Sequence, residues 1–269
     1  MPSLNAAPLA VPTLHPSGVA VATVTIAMAV LGLMCFGVAA WASIARRDPR
    51  LIAVVAGGAL AVWNEPIVDV LTLLYFDPSI GTITTMGRQL PLWVLCFYPI
   101  YYGFAALALY EAASWGWSSA RIRGAIAIFM VCQTLLEWLL LSLDLYAYYG
   151  DQPFAVLGLP LYWLFINSPG ILAVAVVLRR RPDWFRGWRS VGLLVAVPTL
   201  VTASSLGTGW AVFSGLNRPE HSSVFFVWLG ATLTVCVSVY LIGVLTSALC
   251  DGGVRAMTSQ SRMLTGRKG

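Results

Sequence analysis

Charge is what this chain has least of. Only 10% of its 269 residues are Asp, Glu, Lys or Arg, whereas a soluble domain carries about a quarter. That scarcity excludes an ordinary globular enzyme and a disordered chain. Histidine is nearly missing too, with two in the whole chain, and Cys35, Cys96, Cys132, Cys236 and Cys250 form no CxxC pair. The cysteines therefore read as small buried hydrophobes rather than metal ligands or a disulfide framework. Lysine is reduced to Lys268, so no intramembrane Schiff base of the retinal type is available. Residues 1–18 have no basic group ahead of an apolar stretch, and read as a short Pro-containing tail rather than a targeting peptide.

What the chain does have is apolar length. At roughly 20 residues per crossing, seven runs qualify, at 19–45, 51–75, 90–111, 124–145, 154–178, 190–212 and 222–249. The expected fold is all-α: a polytopic membrane protein with a tail (1–18), one seven-helix domain (19–249) and a basic tail (250–269). Fourteen of the 16 Lys and Arg fall in alternate connections, around Arg46, Arg121, Arg179 to Arg189 and after Arg255, leaving Arg88 and Arg218 on the other side. The positive-inside rule then predicts an outer N-terminus and a cytoplasmic C-terminus. Topology accounts for most of the net charge of +5, and no nucleic-acid partner is expected.

The informative residues are acids where acids are expensive. An ionisable group in hydrocarbon costs at least about 2.5 to 3.5 kcal/mol and normally faces a cavity or a partner. Glu65 and Asp69 share one face of the second run, and Glu137 and Asp144, seven apart, share one face of the fourth. Both glutamates come about 14 residues into their runs, roughly 21 Å along each helix. The pattern predicts a polar cavity toward the outer half of the bilayer; the alternative is that the acids only bond neighbouring helices, with Asp144 interfacial. Pro66 after Glu65 predicts a kink that aims this carboxylate inward.

Leu90-Pro91-Leu92-Trp93 and Leu159-Pro160-Leu161-Tyr162-Trp163 follow the two acidic runs at similar distances. This suggests a repeated helical hairpin, 51–111 and 124–178. Such hairpins would bring Trp93, Tyr98, Tyr101, Tyr102, Tyr162, Trp163 and the mid-membrane amide of Asn167 beside the acids. Ser204, Ser205 and Thr208 either line the same cavity or bond back onto their own helix. Gly57 and Gly58, like Gly207 and Gly209, allow close helix packing.

Several of these residues belong to a longer ordered set. Trp63-Asn64-Glu65-Pro66-Ile67-Val68-Asp69, Phe76-Asp77-Pro78, Gly87-Arg88-Gln89-Leu90-Pro91-Leu92-Trp93, Tyr148-Tyr149-Gly150-Asp151-Gln152-Pro153 and Gly158-Leu159-Pro160-Leu161-Tyr162-Trp163 with Asn167 resemble the spirocyclase (AveC-like) membrane protein family of actinobacteria. The likeness covers about residues 50 to 220. A more general similarity, in helix number and size, is to small integral-membrane terpene cyclases. The resemblance implies an enzyme of polyketide natural-product (antibiotic) biosynthesis that closes a spiroketal from a dihydroxy-ketone, in some members with dehydration.

That chemistry needs a proton donor for the departing oxygen and a base for the attacking hydroxyl. Carboxyl groups in unlike environments serve both tasks. Glu65 or Glu137 is the expected acid, and the other glutamate or Asp69 the base, with Asp144 a further candidate. Trp63, Asn64, Tyr98, Tyr102, Tyr162, Trp163 and Asn167 are the expected substrate-binding residues, the aromatics facing developing positive charge. No metal or cofactor is expected; the expected partners are a lipophilic small molecule and the bilayer, and the oligomeric state is unassigned. An isoprenoid cyclase that protonates an alkene or epoxide is the alternative enzyme, and a proton-coupled transporter or sensor the alternative outside enzymes.

Overall fold

Uninterrupted apolar sequence becomes helix wherever a capping residue or a turn punctuates it. In the computed structural model, which describes residues 11–218 and 224–265 and side chains through Asp251, seven helices are long and apolar enough to cross a membrane. They are Gly18–Arg46, Arg50–Thr72, Leu92–Ser114, Ser119–Ser142, Tyr162–Arg180, Gly187–Leu216 and Val224–Asp251, called spans one to seven below. The bounds predicted from hydropathy hold to within a few residues, except that span five begins at Tyr162 instead of 154. Residues 1–10 of the tail lie outside the described residues, as do Arg267 and Lys268 and the side chains of Arg255 and Arg262.

Local chemistry sets the ends. Ser17 accepts from the Ala20 amide at 3.0 Å and starts span one; Ser118 accepts from the Arg121 amide and starts span four. Two spans are irregular inside. Span two runs as α-helix Arg50–Leu60, tightens to a 3-10 turn at Ala61–Asn64 and resumes at Glu65–Thr72, with Pro66 in the first turn of the new segment. There its missing N–H costs nothing. Span three contains a π-helical stretch, Pro99–Phe104, which begins at the proline that interrupts the hydrogen-bond ladder.

Spans two and three meet backbone to backbone. A Cβ on Gly58 would lie 2.4 Å from the Gly103 nitrogen, and one on Gly103 would lie 2.6 Å from Val55 Cα. Gly57 meets the Leu193 carbonyl of span six in the same way, so these small residues pack helices of one chain. Gly209 meets only side chains, and Gly207 faces open space. Span four is the opposite: Ile128, Val131, Leu135 and Leu139 are all more than half exposed along one side.

At one end of the bundle, three two-stranded sheets replace simple loops. Strand β1 (Leu74–Tyr75), after span two, pairs antiparallel with β4 (Ala147–Tyr148), after span four. Hairpin β2–β3 (Ile83–Thr85, Arg88–Leu90) turns at Met86-Gly87, and β5–β6 (Ala155–Val156, Leu159–Pro160) turns at Leu157-Gly158, all four turn residues at positive φ. A two-residue turn of type I′ requires that conformation at both positions. Leu73 and Asp144, both at positive φ, end the two acidic helices. This end of the bundle gathers everything that surrounds the acids.

Candidate functional site

Glu65 stands seven residues before the end of span two and Glu137 five before the end of span four, and the two carboxyl groups line one cavity. Its volume is about 50 Å³, room for a few water molecules. Span three supplies the connecting groups. The Tyr98 hydroxyl donates to Glu65, the Tyr101 hydroxyl to Gln133 Oε1 at 2.6 Å on span four, and the Tyr102 hydroxyl to Asn167 Oδ1 at 3.1 Å on span five. One segment around Pro99 thus ties three other spans to itself. From the β4 side the Tyr146 hydroxyl donates to Glu137.

Each glutamate therefore accepts from one buried phenol, and both face the same space. Glu65 is near enough to feel the charge of Glu137. The rest of the wall is aromatic: Phe76, Trp93 and Tyr146 pack ring against ring at 5.7 to 6.1 Å, and Trp163 and Phe97 close other sides. Burial, and after it the charge of Glu137, pushes the Tyr146 and Tyr148 phenols well up from their ordinary range, so both remain hydrogen-bond donors. Two donors in this wall have no partner among the described residues, the Trp93 indole Nε1–H and the Tyr148 hydroxyl. Such groups are costly when buried unless something accepts from them.

Of the residues expected from sequence, Glu65, Glu137, Tyr98, Tyr102, Trp163 and Asn167 meet in the chamber. Five do not. Asp144 lies beyond the last turn of span four, at positive φ and exposed, because the helix stops at Ser142 and the shared face with Glu137 ends with it. Trp63, 48% exposed, and Asn64 line a groove against span six; one and two residues from Glu65, they sit on other faces of the helix. Tyr162 is fully buried behind the chamber, its hydroxyl donating to Gln152 Oε1 at 3.0 Å. Asp69 is buried one turn beyond Glu65 and lines a neighbouring cavity instead. Thr208 bonds back to the Ser204 carbonyl on its own helix, the second of the two outcomes open for it.

Gln133, Phe76, Tyr146 and Tyr148 also line the chamber and were not among the expected site residues. Gln133 carried a signal, since it lies four residues before Glu137 and must share its face. The other three sit in connections that only the β1–β4 pairing folds over the chamber. Among the described residues no three His, Cys, Asp or Glu side chains gather as a metal ion would need. The chain matches no protein-family model, no curated protein and no solved structure.

Proposed function

We propose that this protein is a membrane-embedded cyclase that closes a ring in a lipophilic, oxygen-bearing substrate by acid–base catalysis between Glu65 and Glu137. The observation that carries the reading is the pair itself: two carboxyl groups, each accepting from one buried tyrosine, facing one aromatic chamber among apolar helices. The reaction that best uses this arrangement is spiroketal formation from a dihydroxy-ketone, as the family resemblance implies.

One hydroxyl adds to the ketone to give a hemiketal. A glutamic acid protonates the hemiketal hydroxyl, the C–O bond breaks, and water leaves an oxocarbenium ion. The second hydroxyl attacks that carbon while the other glutamate takes its proton. One water is lost, and a single proton must pass between the carboxyl groups to restore the resting state. The unpartnered Trp93 N–H and Tyr148 O–H supply donors for a ketone or hemiketal oxygen, and the ring faces lie where a cation gains from them. Excluding bulk water protects the cation from capture. A chamber of this volume admits such a substrate only after wall side chains turn aside.

Charge placement supports an outer N-terminus and a cytoplasmic C-terminus, and the family resemblance implies a bacterial plasma membrane, with the bilayer and a lipophilic small molecule as partners. The aromatic wall favours one second reading, cyclisation of an isoprenoid through protonation of an alkene or epoxide. Mass spectrometry of lipophilic metabolites from cells with and without the gene separates the two. Spiroketal closure predicts accumulation of a precursor one water heavier than the missing product, isoprenoid cyclisation an isomer of equal mass. An unchanged lipophilic metabolite profile would reject both.

A further inference from the structure

Next to the chamber is a second, larger cavity of about 420 Å³, lined by Asp69, Tyr75, Phe76, Arg88, Gln89 and Tyr149. Its wall is chemically unlike that of the chamber. Asp69 is fully buried, and neither carboxylate oxygen accepts a hydrogen bond from any described residue. Arg88 extends from β3 with Nη1 donating to the Leu74 carbonyl at 3.2 Å, and it takes part in neither of the ion pairs among the described residues. Its charge reaches Asp69 without a direct contact. A buried acceptor and a half-committed cation thus share one space, beside an amide and two phenols.

The chemistry that satisfies both ends is a neutral group with a hydroxyl to donate and an adjacent oxygen to accept. A cationic ligand would meet Arg88, and an anionic one Asp69. Phe76 lines both cavities, so one ring separates the aromatic chamber from the polar one. Asp69 follows Glu65 by four residues on the same helix, about 6 Å along its axis. An extended molecule with its oxygenated end on Asp69 would reach the glutamates once Phe76 turns.

We propose that this outer cavity is a head-group subsite for a vicinal diol or similar hydroxyl-bearing end of the substrate, with Asp69 accepting from a hydroxyl and Arg88 donating to its neighbouring oxygen. Asp69 is then a binding residue rather than the catalytic base. The subsite stands on its own geometry; only the identity of what lies beyond Phe76 rests on the cyclase reading.

The test uses the full chain in lipid nanodiscs, with 1,2-hexanediol as probe and 1,2-dimethoxyhexane as its control, which keeps both oxygens but has no proton to donate. Saturation-transfer NMR titrations give the affinities. The diol is expected to bind at least about tenfold more tightly than the dimethoxy compound, in line with a hydrogen bond to a buried acceptor that otherwise has no partner. Asp69→Asn should remove most of that preference. Arg88→Gln should weaken both probes, and Glu65→Gln should leave both within twofold. Equal binding of the two probes to the unmodified protein overturns the proposal even if Asp69→Asn does not fold. Diol preference retained in a folded Asp69→Asn overturns it as well. If diol binding follows Asp69 while Glu65→Gln keeps full turnover, the acid–base reading fails and the subsite stands; the reverse pattern removes the subsite alone.

Discussion

Glu65 and Glu137 face the same chamber from helices of opposite construction. The Glu65 helix is broken by a 3-10 turn and wedged between spans three and six, with Gly57 and Gly58 in backbone contact on both sides. The Glu137 helix is an unbroken 24 residues with one flank exposed. An apolar gap of about 160 Å³, lined by Ala105, Ala108, Ala125 and Phe129 among others, lies between it and spans three and five. One carboxyl is fixed by close packing of main chain. The other is held mainly by the Tyr146 phenol and the strands beyond it. The contrast shows how a single site can combine a rigid reference with a yielding wall: precision comes from the first hairpin and room for a substrate from the second.

The largest expected effect falls on the acids themselves. Glu65→Gln and Glu137→Gln should each lower turnover by about 100-fold or more, the range of general acid–base groups, with folded protein by size-exclusion chromatography. Full activity in both would take the pair out of the mechanism. Next in size is the packing of the first hairpin. Gly103→Ala forces a methyl against Val55 main chain, and should cost about 1 to 3 kcal/mol in unfolding experiments; an unchanged melting temperature would contradict the close contact.

The phenols distinguish the hairpins more finely. Tyr98→Phe and Tyr146→Phe each delete the hydroxyl donating to one glutamate, and about a tenfold loss of turnover is expected for each, the scale of a hydrogen bond to a charged group. Because the Glu137 side is less constrained, only Tyr146→Phe should also broaden the range of accepted substrate sizes, which a homologous substrate series would read. The smallest effect is the mirror of Gly103→Ala. Gly124 on span four faces open space, so Gly124→Ala should stabilise by about 0.4 to 1 kcal/mol through the unfolded chain. A loss there as large as at Gly103 would erase the asymmetry.

Much of this arrangement was legible in residue order because hydrophobic length and helical spacing are local signals. Seven runs gave seven spans, and Trp163 with Asn167, four apart, reach the chamber together. The same spacing rule also places Trp63 away from Glu65, two residues on, although its position in an ordered family-like stretch pointed the other way. The Glu137 to Asp144 face failed because helix length, not periodicity, decides where a face ends, and a residue at positive φ closed that helix first. Tyr146 could not be read at all, and Phe76 and Tyr148 stood only as members of the ordered family-like stretches, with no place in the site. They depend on two strands more than 70 residues apart finding each other, a pairing with no local periodicity.

That pairing has a mechanical side. Besides β1–β4, the Tyr149 backbone amide donates to the Leu73 carbonyl at 2.9 Å and the Gln152 side-chain Nε2 to the Thr72 carbonyl at 2.8 Å, so the ends of spans two and four are stitched together just past the acids. Span four is thus held at both ends, by the strands at one and by buried Ile122 and Ile126 at the other, so room for a bulky guest comes from side chains turning aside between two fixed ends and need not disturb the distance over which a proton is passed.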